Sequence, residues 1–181
     1  MRQIKYLIEF IIIIFLFMII KLFGLKISKF IFGFIFKNFG SLFRSKKISH
    51  NNLSLALPNI NKSERDKIIN NMWVNYGKIF SEYMFIKKFR LNAEFSRKII
   101  VENQEELEKI KSQKKPVIFI SGHFSNFELM AMHLEKSNIN LAAIYRPLNN
   151  IFLNGIMEGI RKKFICKHQI KKGIGGLKKL I

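Results

Sequence analysis

Cys166 is the only cysteine among 181 residues, so neither an intrachain disulfide nor a cysteine-based metal cluster can be built. A reducing environment around the folded part is the simplest expectation, with Cys166 as a small buried residue. Acidic residues are also few: 12 Asp and Glu stand against 32 Lys and Arg, for a formal charge of +20. Such an imbalance suits an anionic partner, whether nucleic acid, acidic lipid headgroups or an acidic protein. Nucleic acid is disfavoured, because the lysines are scattered through apolar segments and no helix-turn-helix, zinc or RRM signature is present. Arginine is scarce beside abundant Lys, Ile, Asn and Phe, a drift towards A/T-rich codons that supplies part of the lysine excess. The glycine-containing tail from Lys171 to Lys179 fits neither a P-loop nor a dinucleotide fingerprint. A small-residue cleavage site is missing as well: Lys21-Leu22-Phe23-Gly24-Leu25-Lys26 follows the N-terminal apolar run, which argues for a retained anchor.

What the chain has in quantity is apolar surface, 49% of its residues. Phe10 to Ile20 is unbroken apolar chain, and Tyr6 to Leu25 holds only Glu9 and Lys21 as charges. That length spans a bilayer core of about 30 Å, with the two charges snorkelling near its ends. Ile27, Phe30, Ile31, Phe34 and Ile35 then recur at helical spacing among Lys26, Lys29 and Lys37, predicting a segment in the membrane interface. Residues 1–40 thus read as a membrane anchor plus interfacial helix. Arg2 and Lys5 precede the run, whereas Lys21, Lys26, Lys29, Lys37, Arg44, Lys46 and Lys47 follow it. The positive-inside bias predicts a single-pass anchor with the body, residues 41–181, on the cytoplasmic side.

In the body, Arg44 to Pro58 reads as polar and irregular. A helix opens at Asn61–Asp66, with Ser63 as its cap and Ile68, Ile69, Met72, Trp73 and Tyr76 as its apolar face. It is expected to run through Met84 and break near Lys87-Lys88, with Trp73, Tyr76 and Phe80 packing and Glu82 either exposed or facing a site. Ser96 to Val101 resembles a strand, and Gln104 to Ile110 a surface helix. Val117-Ile118-Phe119-Ile120 predicts a buried strand, followed by a helix through Leu134, a second strand over 139–145, and a helix from Asn150 to Lys163. A strand, helix, strand series of this length predicts an α/β fold with parallel pairing, and a site in the loops at the carboxyl ends of the strands.

Those loops carry the most informative residues. His123 and Glu128 stand five apart in Gly122-His123-Phe124-Ser125-Asn126-Phe127-Glu128. On one continuous helix they would diverge by about 140°. The pair therefore makes sense with His123 in the turn before a helix and Glu128 in its first turns, with Ser125 or Asn126 as the cap. Acyl transfer from a thioester to an alcohol needs a base for the attacking hydroxyl, and a carboxylate behind the imidazole fixes its orientation. Arg146, after the second strand, offers a guanidinium fork suited to phosphate or an oxyanion. A bare His-x4-Glu pattern is common by chance, so its surroundings decide its meaning.

The ordered set formed by the apolar N-terminus, Asn52-Leu53 to Pro58, Trp73-Val74-Asn75-Tyr76-Gly77 with Glu82, Gly122-His123-x-x-Asn126-x-Glu128, Tyr145-Arg146-Pro147-Leu148-Asn149-Asn150 and Arg161 resembles the lauroyl/myristoyl transferases of lipid A biosynthesis, lysophospholipid-acyltransferase-like enzymes of Gram-negative inner membranes. The resemblance implies a glycerolipid-acyltransferase-like domain with parallel strands and flanking helices. It implies His123 as general base, Glu128 as its support, and Arg146, Asn126, Tyr145 and Arg161 as substrate-binding residues. The implied donor is an acyl carrier protein thioester, and the implied acceptor a hydroxyacyl group on a phosphorylated glucosamine disaccharide, with no metal or other cofactor. Ser125 stands where the family usually has glycine, and Phe127 where tryptophan is common. Family members continue beyond Ile181 with further strands and an Asp-containing motif, so residues 41–181 are expected to form a C-terminally incomplete acyltransferase-like domain. The alternatives are an inactive remnant or membrane scaffold and, more remotely, a membrane-tethered nucleic-acid-binding protein.

Overall fold

A computed structural model describes residues 2–42 and 45–178. Arg44 in the cationic flank, Lys179 in the glycine-containing tail and the chain end at Ile181 lie outside the described residues. The described chain is mostly helical with one two-stranded parallel sheet, and it divides into two compact units. Among the described residues, one unit comprises Phe15–Phe85; the other joins residues 2–14 to residues 86–178.

The N-terminal helix α1 covers Arg2–Phe39 and is interrupted at Gly24, whose φ of 73° and ψ of 172° no ordinary side chain favours. The predicted apolar run and interfacial segment are thus two helical stretches meeting at that glycine. In the Phe15–Phe85 unit, the second stretch packs on helix α3 (Lys62–Tyr83). Phe17, Phe32 and Phe36 surround the Phe80 ring at centroid distances of 5.1, 5.5 and 5.6 Å. The close approach depends on Gly77, where a Cβ would fall 2.1 Å from the Phe32 carbonyl oxygen. Trp73 is buried, its ring against Gly40 and near Tyr76, so it is the packing residue its type suggests. Glu82 is buried too and takes a 2.5 Å hydrogen bond from Lys29.

Two expectations fail in this unit. The α3 cap is Asn61 rather than Ser63: Asn61 Oδ1 accepts from the Glu64 amide, while the Glu64 carboxylate accepts from the Asn61 amide. Residues 46–56, read as irregular, form helix α2 (Lys46–Ala56). None of its residues is buried, so it contributes nothing to the apolar core. Its polar side chains lean on α3 instead, with Arg65 donating to the Ser54 hydroxyl at 2.9 Å and His50 Nε2 lying 3.1 Å from Asp66.

The other unit holds α4 (Ile86–Leu91), α5 (Ala93–Ser96), α6 (Gln104–Gln113), α7 (Glu128–Lys136), β1 (Ala142–Tyr145), α8 (Ile151–Phe164), β2 (His168–Lys171) and α9 (Ile174–Leu177). The expected strand over Ser96–Val101 is absent. Asn92 caps α5 through the Phe95 amide, and the amides of Arg97, Lys98 and Ile99 close successive turns. Helix α6 stands where expected. The run at 117–120 is not a strand: it joins no ladder, and Ile118 and Ile120 are 87% and 92% exposed.

Parallel pairing does occur, between β1 and β2 and across the crossover helix α8, with Ala142 opposite His168 and Tyr145 opposite Lys171. Strand β1 is shorter than the predicted 139–145, and β2 lies in a basic stretch of which only Ile170 is buried. Helix α8 matches its predicted span and is capped by Asn150, which accepts from the Phe152 and Leu153 amides. Cys166 is buried as expected, its thiol donating to the Leu141 carbonyl at 2.9 Å, and burial pushes its pKa up. In the tail, Gly176 crowds the Lys171 carbonyl so closely that a Cβ would sit 1.9 Å from it.

Candidate functional site

Helix α7 begins at Glu128, so the carboxylate occupies the first turn and His123 lies in the irregular segment before it. The entry to the helix is shaped by backbone rather than by a side-chain cap. Ser125 has a φ of 47°, the Phe127 amide donates to the Ser125 carbonyl, and the Leu129 amide donates to the Asn126 carbonyl. Neither Ser125 nor Asn126 serves as the N-cap; Phe127 holds that position without a side-chain hydrogen bond. A left-handed serine costs roughly 1–2 kcal/mol relative to glycine, a physical reason for glycine to be usual at this point. Asn126 is buried.

Glu128 is buried, and its Oε1 accepts hydrogen bonds from Arg161 Nε at 2.7 Å and Nη2 at 2.6 Å. The side chains are 8% and 16% exposed, making this a charge-assisted pair largely removed from water. It ties the start of α7 to the last turns of α8. Tyr145, at the end of β1, completes the cluster: the Arg161 guanidinium lies 5.7 Å from its ring centroid. Burial, with the Glu158 carboxylate nearby, pushes the Tyr145 phenol up to about 12. Glu158 is held below the usual carboxylate range by its contact with Lys162 at 2.8 Å and by Tyr145. Lys171 of β2 approaches the same carboxylate at 3.7 Å.

The structure therefore brings Glu128, Arg161 and Tyr145 together from α7, α8 and β1. His123 stands apart from them. It is exposed, makes no hydrogen bond to Glu128, and sets its ring edge-on to Phe127 at 4.2 Å. Arg146 is exposed in the loop after β1. Sequence reading overlooked Glu158, although its spacing from Lys162 marks an i,i+4 pair. It also missed that Arg161 serves Glu128, since the two stand 33 positions apart and only the fold joins them.

Compared with known proteins, the sequence matches the family of bacterial lipid A biosynthesis acyltransferases over residues 1–181. The chain belongs to that family. It is 24% identical over 115 residues to lipid A biosynthesis acyltransferase 2 of Shigella flexneri, a match covering 62% of this chain and 36% of that relative's length. No solved structure matches. The Glu128–Arg161–Tyr145 cluster is thus a feature of a lipid A acyltransferase family member.

Proposed function

We propose that this chain moves a fatty acyl group from an acyl carrier protein thioester to a hydroxyacyl group of a phosphorylated lipid A precursor, at the cytoplasmic face of the inner membrane. The observation that carries the proposal is the buried Glu128–Arg161 pair at the start of α7, directly after the segment holding His123. His123 takes the proton from the acceptor hydroxyl as its oxygen attacks the thioester carbonyl. The imidazolium then returns that proton to the departing thiolate, so no acyl-enzyme forms. Glu128, clamped by Arg161, presents a fixed carboxylate to the imidazole once substrate draws His123 inward, a tightening common to catalytic hydrogen bonds. Exposed Arg146 binds phosphate or the developing negative charge, while Asn126 and Tyr145 line the same loops of a glycerolipid-acyltransferase-like domain.

The +20 charge favours both an acidic carrier protein and a phosphorylated acceptor, and it favours an anionic leaflet beneath them. Helix α1 is long and apolar enough to cross a membrane, and its length and flanking charge alone describe a single-pass anchor. A second reading, a membrane-bound chain without catalysis, is favoured by one observation: His123 is exposed and not bonded to Glu128. Acyl transfer from acyl carrier protein to a tetra-acylated lipid A precursor distinguishes the two. The first reading expects transfer by the full chain, lost in His123→Ala and in Glu128→Ala; absence of transfer by the unaltered chain supports the second.

A further inference from the structure

We infer that Lys162 and Lys171 are positioning residues for the site: they draw the Glu158 carboxylate away from Arg161, so that the Arg161 guanidinium serves Glu128. For its effect on turnover, the inference rests on the proposed role of Glu128 behind His123. The pairing itself is independent of that role and is measured without catalysis.

The sequence of α8 gives Glu158 two cations within reach. Residues three and four apart on a helix are surface neighbours, so Glu158 can meet Arg161 at i+3 or Lys162 at i+4. A guanidinium has five N–H donors in a fixed fork and can serve two carboxylates at once. Helical spacing alone therefore leaves open which acid Arg161 serves.

The tertiary structure decides it. Arg161 directs Nε and Nη2 to Glu128 Oε1 at 2.7 and 2.6 Å, while Glu158 Oε1 lies 2.8 Å from Lys162 Nζ. The other oxygen, Glu158 Oε2, faces Lys171 Nζ at 3.7 Å. Lys171 comes from β2, where the parallel register sets it beside Tyr145. Tyr145 neighbours both groups: Arg161 lies 5.7 Å from its ring centroid, and the Glu158 carboxylate is close to its phenol. The charges thus sort into Glu128 with Arg161 and Glu158 with Lys162 and Lys171.

Burial explains why the sorting matters. The Glu128–Arg161 pair is largely removed from water, whereas Lys162 and Lys171 are 51% and 59% exposed. Each lysine contact contributes little to stability, being exposed and screened. Their effect lies in the choice of partner. Without them, Glu158 keeps a mostly buried charge, and Arg161 is the cation within reach on its own helix. Glu128 then shares its guanidinium with a second carboxylate, and two like charges around one cation repel. The carboxylate at the start of α7 loses its fixed place.

The full chain is compared with Lys162→Met/Lys171→Met and with the same double variant carrying Glu158→Gln. Both lysines are surface residues, so the fold tolerates their replacement. Thermal unfolding in detergent reads the drop that Glu128→Gln causes in each of these three backgrounds. That drop is expected to be large in the full chain, smaller where Glu158 takes up Arg161, and large again once Glu158→Gln removes the competing acid. In acyl transfer, the double lysine variant is expected to lose several-fold in kcat at unchanged KM, and Glu158→Gln to restore it. An equal drop from Glu128→Gln in all three backgrounds overturns the inference. So does a raised KM that Glu158→Gln leaves in place, since the lysines would then be substrate contacts. Absence of transfer by the unaltered chain counts against the proposed function alone, and the unfolding comparison still decides the pairing.

Discussion

At the scale of single residues, the account turns on a carboxylate whose partner is an arginine far along the chain. Removing one member of a buried pair leaves the other charge uncompensated, which costs about 3–5 kcal/mol, whereas removing both is far milder. Arg161→Met should therefore lower the thermal unfolding temperature in detergent sharply, and adding Glu128→Gln should restore much of it. Equal damage from the single and double variants would show that the pair does not clamp α7. Tyr145 gives an independent reading of the same cluster. Its phenol, raised to about 12, stays protonated above the usual tyrosine range, so its contribution to stability is complete below pH 10 and lost as the pH rises towards 12. Ultraviolet titration should show a late-ionising phenol that is absent in Tyr145→Phe. A titration unchanged by Tyr145→Phe would contradict the raised phenol described here.

At the scale of elements, legibility followed the source of each element's stability. The apolar run of α1, the apolar face of α3 and the charged surface of α6 declare themselves through local periodicity, and α8 has its cap in place at Asn150. Helix α2 does not, because its support is lateral and polar: Ser54 and His50 meet Arg65 and Asp66, residues beyond its own turns. Four apolar residues at 117–120 carry no period that separates a paired strand from an unpaired one, and the place beside β1 went to the basic stretch of β2. His123 and Glu128 were legible as types at a spacing; the bond that immobilises Glu128 was not, since it depends on how α7 meets α8. Glycines expose the same contrast in stability. Gly77→Ala in α3 drives a Cβ into the Phe32 carbonyl and should destabilise by about 1–3 kcal/mol. Gly159→Ala in α8 meets open space and should stabilise by about 1 kcal/mol through helix propensity. Unfolding measurements on the two variants check this, and a Gly77→Ala variant as stable as the unaltered chain would contradict the packing assigned to Gly77.

At the scale of the whole molecule, charge and apolar surface act together. Thirty-two basic residues beside an apolar helix suit an anionic leaflet, and the proposed function has a phosphorylated lipid and an acidic carrier meet there. The proposed chemistry for that meeting is acyl transfer, and Glu128, Arg161 and Tyr145 form a cluster that joins α7, α8 and β1 after the segment holding His123. The most direct measurement is the rate of acyl transfer from acyl carrier protein to a tetra-acylated lipid A precursor by the full chain and by His123→Ala. The account predicts measurable transfer that falls by roughly 10²–10⁴-fold when the general base is removed; transfer undiminished in His123→Ala, or none by the unaltered chain, would contradict it.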